Sequence, residues 1–400
     1  MGMDEKGVTA VEGFRAAGLH CGIKKNGLAD LALLVADRPC AAAAVFTRNR
    51  FPAPPLQVTR RHLRSGVAQA VIINSGNANA FTGEVGLRDA EAMASAVAEN
   101  LGIPTRQVLV ASTGVIGMRL PMDKITTAIP VLISRLSFDL GHEAAEAIRT
   151  TDMFTKEVAV SGRVERAEIR IGGMAKGSGM IHPNMATMLA FLTTDAQIPP
   201  TLLRRGLRQA VDGTFNAITV DGETSTNDMV ICLANGKGAA KIGAAGAAFR
   251  RFVALLTDAC AALAKMIVQD GEGATKRIEI VVTGAKDAAS ARRIAMTVAK
   301  SPLVKTAFFG EDANWGRIVA AIGNAGTPVD PNQIDLTFGD VVLVRRGCYL
   351  GASAEAAVSR YLKEKDLQLT IGLSTGPGRA TVWTCDLSGD YVKMNAAYRT

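Results

Sequence analysis

Thr187 is the residue whose surroundings first suggest chemistry. It is the one hydroxyl near the start of an apolar run, 185–192, and it follows Ala186, a small residue whose carbonyl is sterically open. A threonine Oγ so placed can attack the preceding carbonyl, form an ester and let water cut the chain. Thr187 would then carry a free α-amine with a reference pKa of about 7.7–8.0, so nucleophile and general base would share one residue. The approach favours tight turns: Gly177 and Gly179 flank Ser178, and Pro183-Asn184 follows His182 directly. The same pattern also suits an ordinary turn into a buried strand with Thr187 at its head.

Three further groups could serve a reaction. A strand at 108–111 runs into Ser112-Thr113-Gly114. Such a junction can aim backbone N–H groups and a hydroxyl at one spot, as an oxyanion hole requires, or it can be a plain turn. Residues 221–228 read D-G-E-T-S-T-N-D, a dense polar loop before an apolar strand. Its carboxylates could hold a metal, but hydrogen bonds that fix the loop are the favoured reading. Glu272 lies between two glycines within Q-D-G-E-G-A-T-K, where it can reach into a pocket or stand in solvent.

Several function classes are disfavoured. The six cysteines lie far apart without a C-x-x-C, and the four histidines form no H-E-x-x-H, so no metal is expected and the thiols read as reduced. No G-x-G-x-x-G after a strand and no phosphate-binding G-x-x-x-x-G-K-[ST] occurs. The net charge of +8 is spread over scattered basic pairs without interleaved aromatics, which argues against nucleic acid. That field suits small anionic substrates or a solvated surface equally. The start lacks an apolar signal region, and Lys6 breaks the myristoylation pattern. No run of 18 uncharged apolar residues offers a membrane span, so a cytoplasmic protein is expected.

The elements that must position these residues alternate along the whole chain. Short apolar runs at 31–35, 41–46, 70–73 and 108–111 read as strands. The 70–73 run ends in N-S-G-N-A-N-A, a polar loop of functional or turn character. Apolar residues at three- and four-residue spacing mark helices at 87–101, 123–136 and 140–148. Stretches 158–161 and 168–171 form a hairpin-like pair. Later come a helix at 202–211, strands at 216–220 and 229–233, and a long helix at 244–267. Further strands fall at 278–282, 341–345 and 368–373, with helices at 289–299 and 354–364. At 48% hydrophobic residues, 400 residues can bury a large core. Intermixed strands and helices predict an α/β (α+β) fold.

The string K-G-S-G-M-I-H-P-N-M-A-T-M-L-A-F at 176–191 resembles the autocleavage segment of the ornithine acetyltransferase family. G-F-R-A-A-G near the start, T-T-D at 150–152, D-G-E-T-S-T-N-D, D-G-E-G-A-T-K and the final residues 394–400 resemble the same family. Two departures are visible: Met153 where the family has threonine, and Glu223 where it has aspartate. The resemblance implies a layered sheet-and-helix fold of the N-terminal-nucleophile type. It implies self-cleavage between Ala186 and Thr187 into segments 1–186 and 187–400, interlocked and assembled as two of each. It implies transfer of an acetyl group from N2-acetylornithine to glutamate through an acetyl-Thr187 ester. Thr113 and Gly114 would form the oxyanion hole, and Thr150, Lys176, Thr187, Glu272, Asn395 and Thr400 would hold substrate. No cofactor is implied; acetyl-CoA as a second acetyl donor stays open. Two other readings stand beside it: a related N-terminal-nucleophile aminopeptidase or amidohydrolase, and a binding relative that has lost turnover.

Overall fold

The computed structural model describes residues 6–182 and 188–397. Its larger sheet holds β1 (Phe14–Leu19), β2 (Leu31–Phe46), β3 (Val67–Asn77), β4 (Val108–Val115), β5 (Lys156–Val164), β6 (Ala167–Lys176), β7 (Leu189–Thr194) and β8 (Met229–Ala234). The order is β4-β3-β2-β8-β7-β6-β5, with β1 paired to β2 beside this path. The β3/β4 and β7/β8 pairs are parallel and the others antiparallel.

The expected strands 31–35 and 41–46 are one strand, β2, with a register break between Val35 and Cys40. Asp37, Arg38 and Pro39 are exposed at the break. Residues before it pair with β1 and β3, and residues after it pair with β8. The two-residue period of a strand sorts its side chains between two cores. Ala32, Leu34 and Ala36 share a core with Met174, Phe191 and Ile231 of the other strands. Leu31, Leu33 and Val35 face the opposite way. There they meet α2 (Gly83–Leu101) and α3 (Met122–Ser134), which follow α1 (Pro54–His62). Beyond α4 (Gly141–Ala147), helices α5 (Pro200–Asp212) and α6 (Ala247–Gln269) cover the other outer face, where Leu207, Phe252 and Leu263 pack on Ile171, Leu192 and Cys232. The bend in β2 thus turns the two halves of this one sheet toward each other across the core that holds Leu34 and Phe191, with helices on both outer faces. α6 is apolar and long enough to cross a bilayer, but half of its apolar stretch is buried within the fold.

A second sheet is formed by β9 (Arg277–Ala285), β10 (Asp335–Phe338), β11 (Val341–Arg345), β12 (Cys348–Tyr349), β13 (Asp366–Gly372) and β14 (Gly378–Cys385), in the order β12-β11-β10-β13-β9-β14. α7 (Ala288–Lys300), α8 (Pro302–Phe309), α9 (Trp315–Gly323) and α10 (Ala352–Tyr361) accompany it, with Ile280, Ile294, Val304 and Leu369 in its core. After β14 the chain returns to the first unit as α11 (Gly389–Ala397).

The structure corrects the expected strand at 216–220. Phe215–Ala217 is a 3-10 turn, and only Ile218 bridges to Trp383. The reason is divided pairing. Thr219 donates its N–H to the Trp383 carbonyl, whereas Val220 donates to Ile181, so no single partner strand extends the ladder. The long helix begins at Ala247 rather than 244, because Gly246 is extended. α1 was not foreseen; Pro54 and Pro55 occupy its first turn, where their missing N–H groups cost nothing.

Candidate active site

One pocket gathers residues from stretches far apart in sequence, among them Thr113 and Gly114, Thr150, Lys176, Asp221 and Asn227, Glu272, and Asn395. It lies where the C-terminal ends of β4 and β6 meet the loop before β8. Gly114 has φ +130°, and a Cβ there would come within 2.3 Å of the Gly76 carbonyl carbon. Only glycine allows β3 and β4 to stay paired here while Thr113 lines the pocket.

Buried charges fix the Lys176 side. Lys176 donates to Thr150 Oγ1 at 2.6 Å and lies 3.7 Å from Asp152 Oδ2. Behind it, the fully buried Lys156 joins Asp152 Oδ1 at 2.7 Å and Asp270 Oδ2 at 2.5 Å. The Gly177 N–H donates to Asp152 Oδ1 at 2.6 Å, so the glycine turn is tied to the same carboxylate. Burial pulls the Lys176 pKa down, and Asp152 works against that pull. Burial opposes ionisation of Asp152, but Lys176 and then Lys156 outweigh it and hold the carboxyl below its usual range.

Across the pocket, Glu272 Oε2 accepts from Asn395 Nδ2 at 2.9 Å, which docks α11 on the site. Gly179 leaves this carboxylate its place: a Cβ there would lie 2.4 Å from the Glu272 carboxyl carbon. Gly273, at φ +68°, likewise leaves room for the Tyr391 backbone. Lys176 and Glu272 are close enough for Glu272 to favour the lysine's charged form. A cation and a carboxylate facing one pocket, with hydroxyls between, suit the α-amino and α-carboxylate end of an amino acid.

The sequence-expected residues Thr113, Gly114, Thr150, Lys176, Glu272 and Asn395 are thus brought together. Ala186, Thr187 and Thr400 lie outside the described residues. Three lining residues were not singled out from the sequence. Asn227 donates to the carbonyls of Ala78 at 2.6 Å and Ser112 at 2.9 Å, binding the polar loop to the ends of β3 and β4. Asp221 accepts the N–H groups of Met180 and Ile181. Burial pushes its carboxyl up, and these bonds act against the shift. Tyr391 lines the same wall, its phenol also pushed up by burial and then by Asp221. The loop composition marked the first two as hydrogen-bonding residues. For Tyr391 the one available signal was its place a helical turn before Asn395. Among the described residues, no group of three or more His, Cys, Asp or Glu side chains is arranged to hold a metal ion.

A family model described as the ArgJ family matches residues 15–400. The chain belongs to the ArgJ family. The arginine biosynthesis bifunctional protein ArgJ of Symbiobacterium thermophilum is 52% identical over 397 residues, covering 98% of both chains. That of Geobacter sulfurreducens is 50% identical over 393 residues, 98% of this chain and 100% of the relative. Among solved structures, a chain of the ornithine acetyltransferase complexed with ornithine from Mycobacterium tuberculosis is 44% identical. It covers 45% of this chain and 96% of its own, with a TM-score of 0.43.

Proposed function

We propose that this ArgJ-family chain cuts itself between Ala186 and Thr187 and then carries an acetyl group from N2-acetylornithine to glutamate as an ester on Thr187. The observation that carries this reading is the convergence of Thr113, Gly114, Thr150, Lys176, Glu272 and Asn395 on one pocket from segments far apart in sequence. Thr187 Oγ attacks the Ala186 carbonyl, its proton passes to the leaving amide nitrogen, and water hydrolyses the resulting ester. The freed amine then takes the Oγ proton as Oγ attacks the acetyl carbonyl of acetylornithine. Thr113 and Gly114 stabilise the tetrahedral oxyanion. The C–N bond breaks, ornithine leaves with the proton, and the α-amine of glutamate attacks the acetyl ester to regenerate the Thr187 hydroxyl. Lys176 and Glu272 hold the common amino-acid end of both substrates, with Thr150, Asn395 and Thr400.

The segments 1–186 and 187–400 stay interlocked in this reading. β6, upstream of the cut, pairs with β7, downstream of it, from Ile171 opposite Thr194 to Lys176 opposite Leu189. Two of each segment make a heterotetramer, and the enzyme works in the cytoplasm without cofactor or metal. The relatives' name, bifunctional, is compatible with acetyl-CoA as a second donor. Intact mass of the purified protein tests the reading. Two co-purifying fragments beginning at Met1 and Thr187 are expected, and a single uncut chain from Thr187→Ala. A different new N-terminus, or cleavage of Thr187→Ala, would refute it.

A further inference from the structure

Loop 221–228 does more than line the pocket. It touches both sides of the proposed cut. Upstream, Ile181 is held by its carbonyl, which accepts from the Val220 N–H at 2.7 Å and Thr219 Oγ1 at 3.0 Å. Its N–H goes to Asp221 Oδ1 at 2.9 Å, and the Met180 N–H goes to Asp221 Oδ2 at 2.6 Å. Met180 adopts φ +58°, a conformation unusual for a side chain of its kind, so these bonds hold a turn that the residue would not choose alone. Downstream, Met188 is held in the same double manner. Its N–H donates to Asp228 Oδ1 at 3.0 Å, and its carbonyl accepts from the Met229 N–H at 3.2 Å.

The loop between these grips is itself anchored. Thr47 Oγ1 donates to the Ser225 carbonyl at 2.8 Å and Asn49 Nδ2 to that of Thr224 at 3.0 Å. The Ala53 N–H donates to the Thr226 carbonyl at 3.0 Å, and Asn227 bonds the strand ends that carry Thr113. A rigid piece therefore links the oxyanion-hole strands to both flanks of the junction.

We propose that residues 219–229 form a two-ended clamp: Thr219, Val220 and Asp221 fix the chain before the scissile bond, and Asp228 with Met229 fixes it after, so Thr187 is kept in register both before and after the cut. This inference rests on the self-cleavage reading. Asp228 is a positioning residue, one peptide removed from Thr187, and acts through the Met188 N–H. Its role requires a hydrogen-bond acceptor at Oδ1 and no negative charge. The second carboxyl oxygen, Oδ2, is buried and has no hydrogen-bond partner among the described residues. Burial pushes this carboxyl well up, the Met188 bond acting against the shift, which agrees with a neutral anchor rather than a base. Asparagine reproduces the neutral carboxyl: one carbonyl oxygen for Met188 and a similar shape.

The test is the rate of self-cleavage after purification of freshly made chains, followed by acetyl transfer once each variant has been cut to completion. Asp228→Asn is expected to cleave within about threefold of wild type. Asp228→Leu, which removes the acceptor, is expected to cleave on the order of a hundredfold slower, the penalty of misplacing a reacting group by roughly 1 Å. Once cut, Asp228→Leu should show a lowered kcat for acetyl transfer at unchanged KM, because the nucleophile and not the substrate pocket has moved. Thr219→Val and Asp221→Asn, each removing part of the upstream grip, are expected to slow cleavage several-fold, and they carry the test if Asp228→Leu does not fold. Cleavage of Asp228→Leu, or of both upstream variants, at the wild-type rate would overturn the clamp. So would loss of cleavage in an Asp228→Asn protein that melts like wild type, since that would make the carboxylate a chemical participant. A wild-type chain that stays uncut, or is cut elsewhere, refutes the underlying reading instead.

Discussion

Gly179→Ala should behave like a partial deletion of Glu272. The added Cβ would stand 2.4 Å from the Glu272 carboxyl carbon and Oε2 and 2.6 Å from Oε1. Carbon atoms at rest lie about 3.5–4.0 Å apart, so the carboxyl group must retreat by about 1 Å. The groups that move are the end of a flexible side chain, so the backbone can stay and the fold should lose little. The function should not escape. The retreat breaks the 2.9 Å bond from Asn395 and takes the negative charge off its place opposite Lys176. A hydrogen bond to a charged group contributes about 1.5–3 kcal/mol, which is roughly ten- to a hundredfold in kcat/KM. The assay is acetyl transfer by fully cleaved protein, with thermal melting as the control for folding. A double-mutant cycle sharpens it: on a Glu272→Ala background there is no carboxylate to displace, so Gly179→Ala should add almost nothing. Wild-type kcat/KM in Gly179→Ala, or an equal further loss on the Glu272→Ala background, would refute the steric argument.

Two other predictions follow from the site. Lys156→Met leaves Asp152 and Asp270 buried without their shared cation, and urea unfolding at neutral pH should show a loss of about 3–5 kcal/mol. Because the folded-state pKa of Asp152 lies below its unfolded value, its contribution is present above the unfolded value and is lost as pH falls toward the folded one. The variant's deficit should therefore be largest at neutral pH and shrink as pH falls through the acid range, and a deficit that does not change with pH would dismiss the network. For acetyl transfer, double-reciprocal plots with N2-acetylornithine and glutamate should be parallel, with ornithine competitive against glutamate. Acetate released at the same rate with and without glutamate would instead make the enzyme a hydrolase.

Local chemistry is what the sequence determined by itself. The strands and helices with clear two- or three-to-four-residue periods, the glycine turns at 177 and 179, and the threonine after a small residue at 187 all depend on neighbours along the chain. The resemblance of whole motifs added the expectation that Thr113, Thr150, Lys176, Glu272 and Asn395 act together. Pairings that depend on distant partners were not legible. The apolar runs in β2 read as two strands because the residues between them are polar; only packing between two cores makes them one bent strand. The stretch at 216–220 has strand-like residues, yet its hydrogen bonds divide between Trp383 and Ile181, so tertiary contacts overrode its propensity. Burial decided the rest. A lysine in sequence reads as surface, whereas Lys156 is fully enclosed because Asp152 and Asp270 meet it from separate segments. The carboxylates of loop 221–228 read from the sequence as loop-fixing hydrogen-bond acceptors, with a metal as the alternative, but the sequence does not name their partners. Only the folded chain turns Asp221 toward Met180 and Ile181 and Asp228 toward Met188, because hydrogen bonds between segments are set by where the sheets bring them and not by the order in which residues are joined.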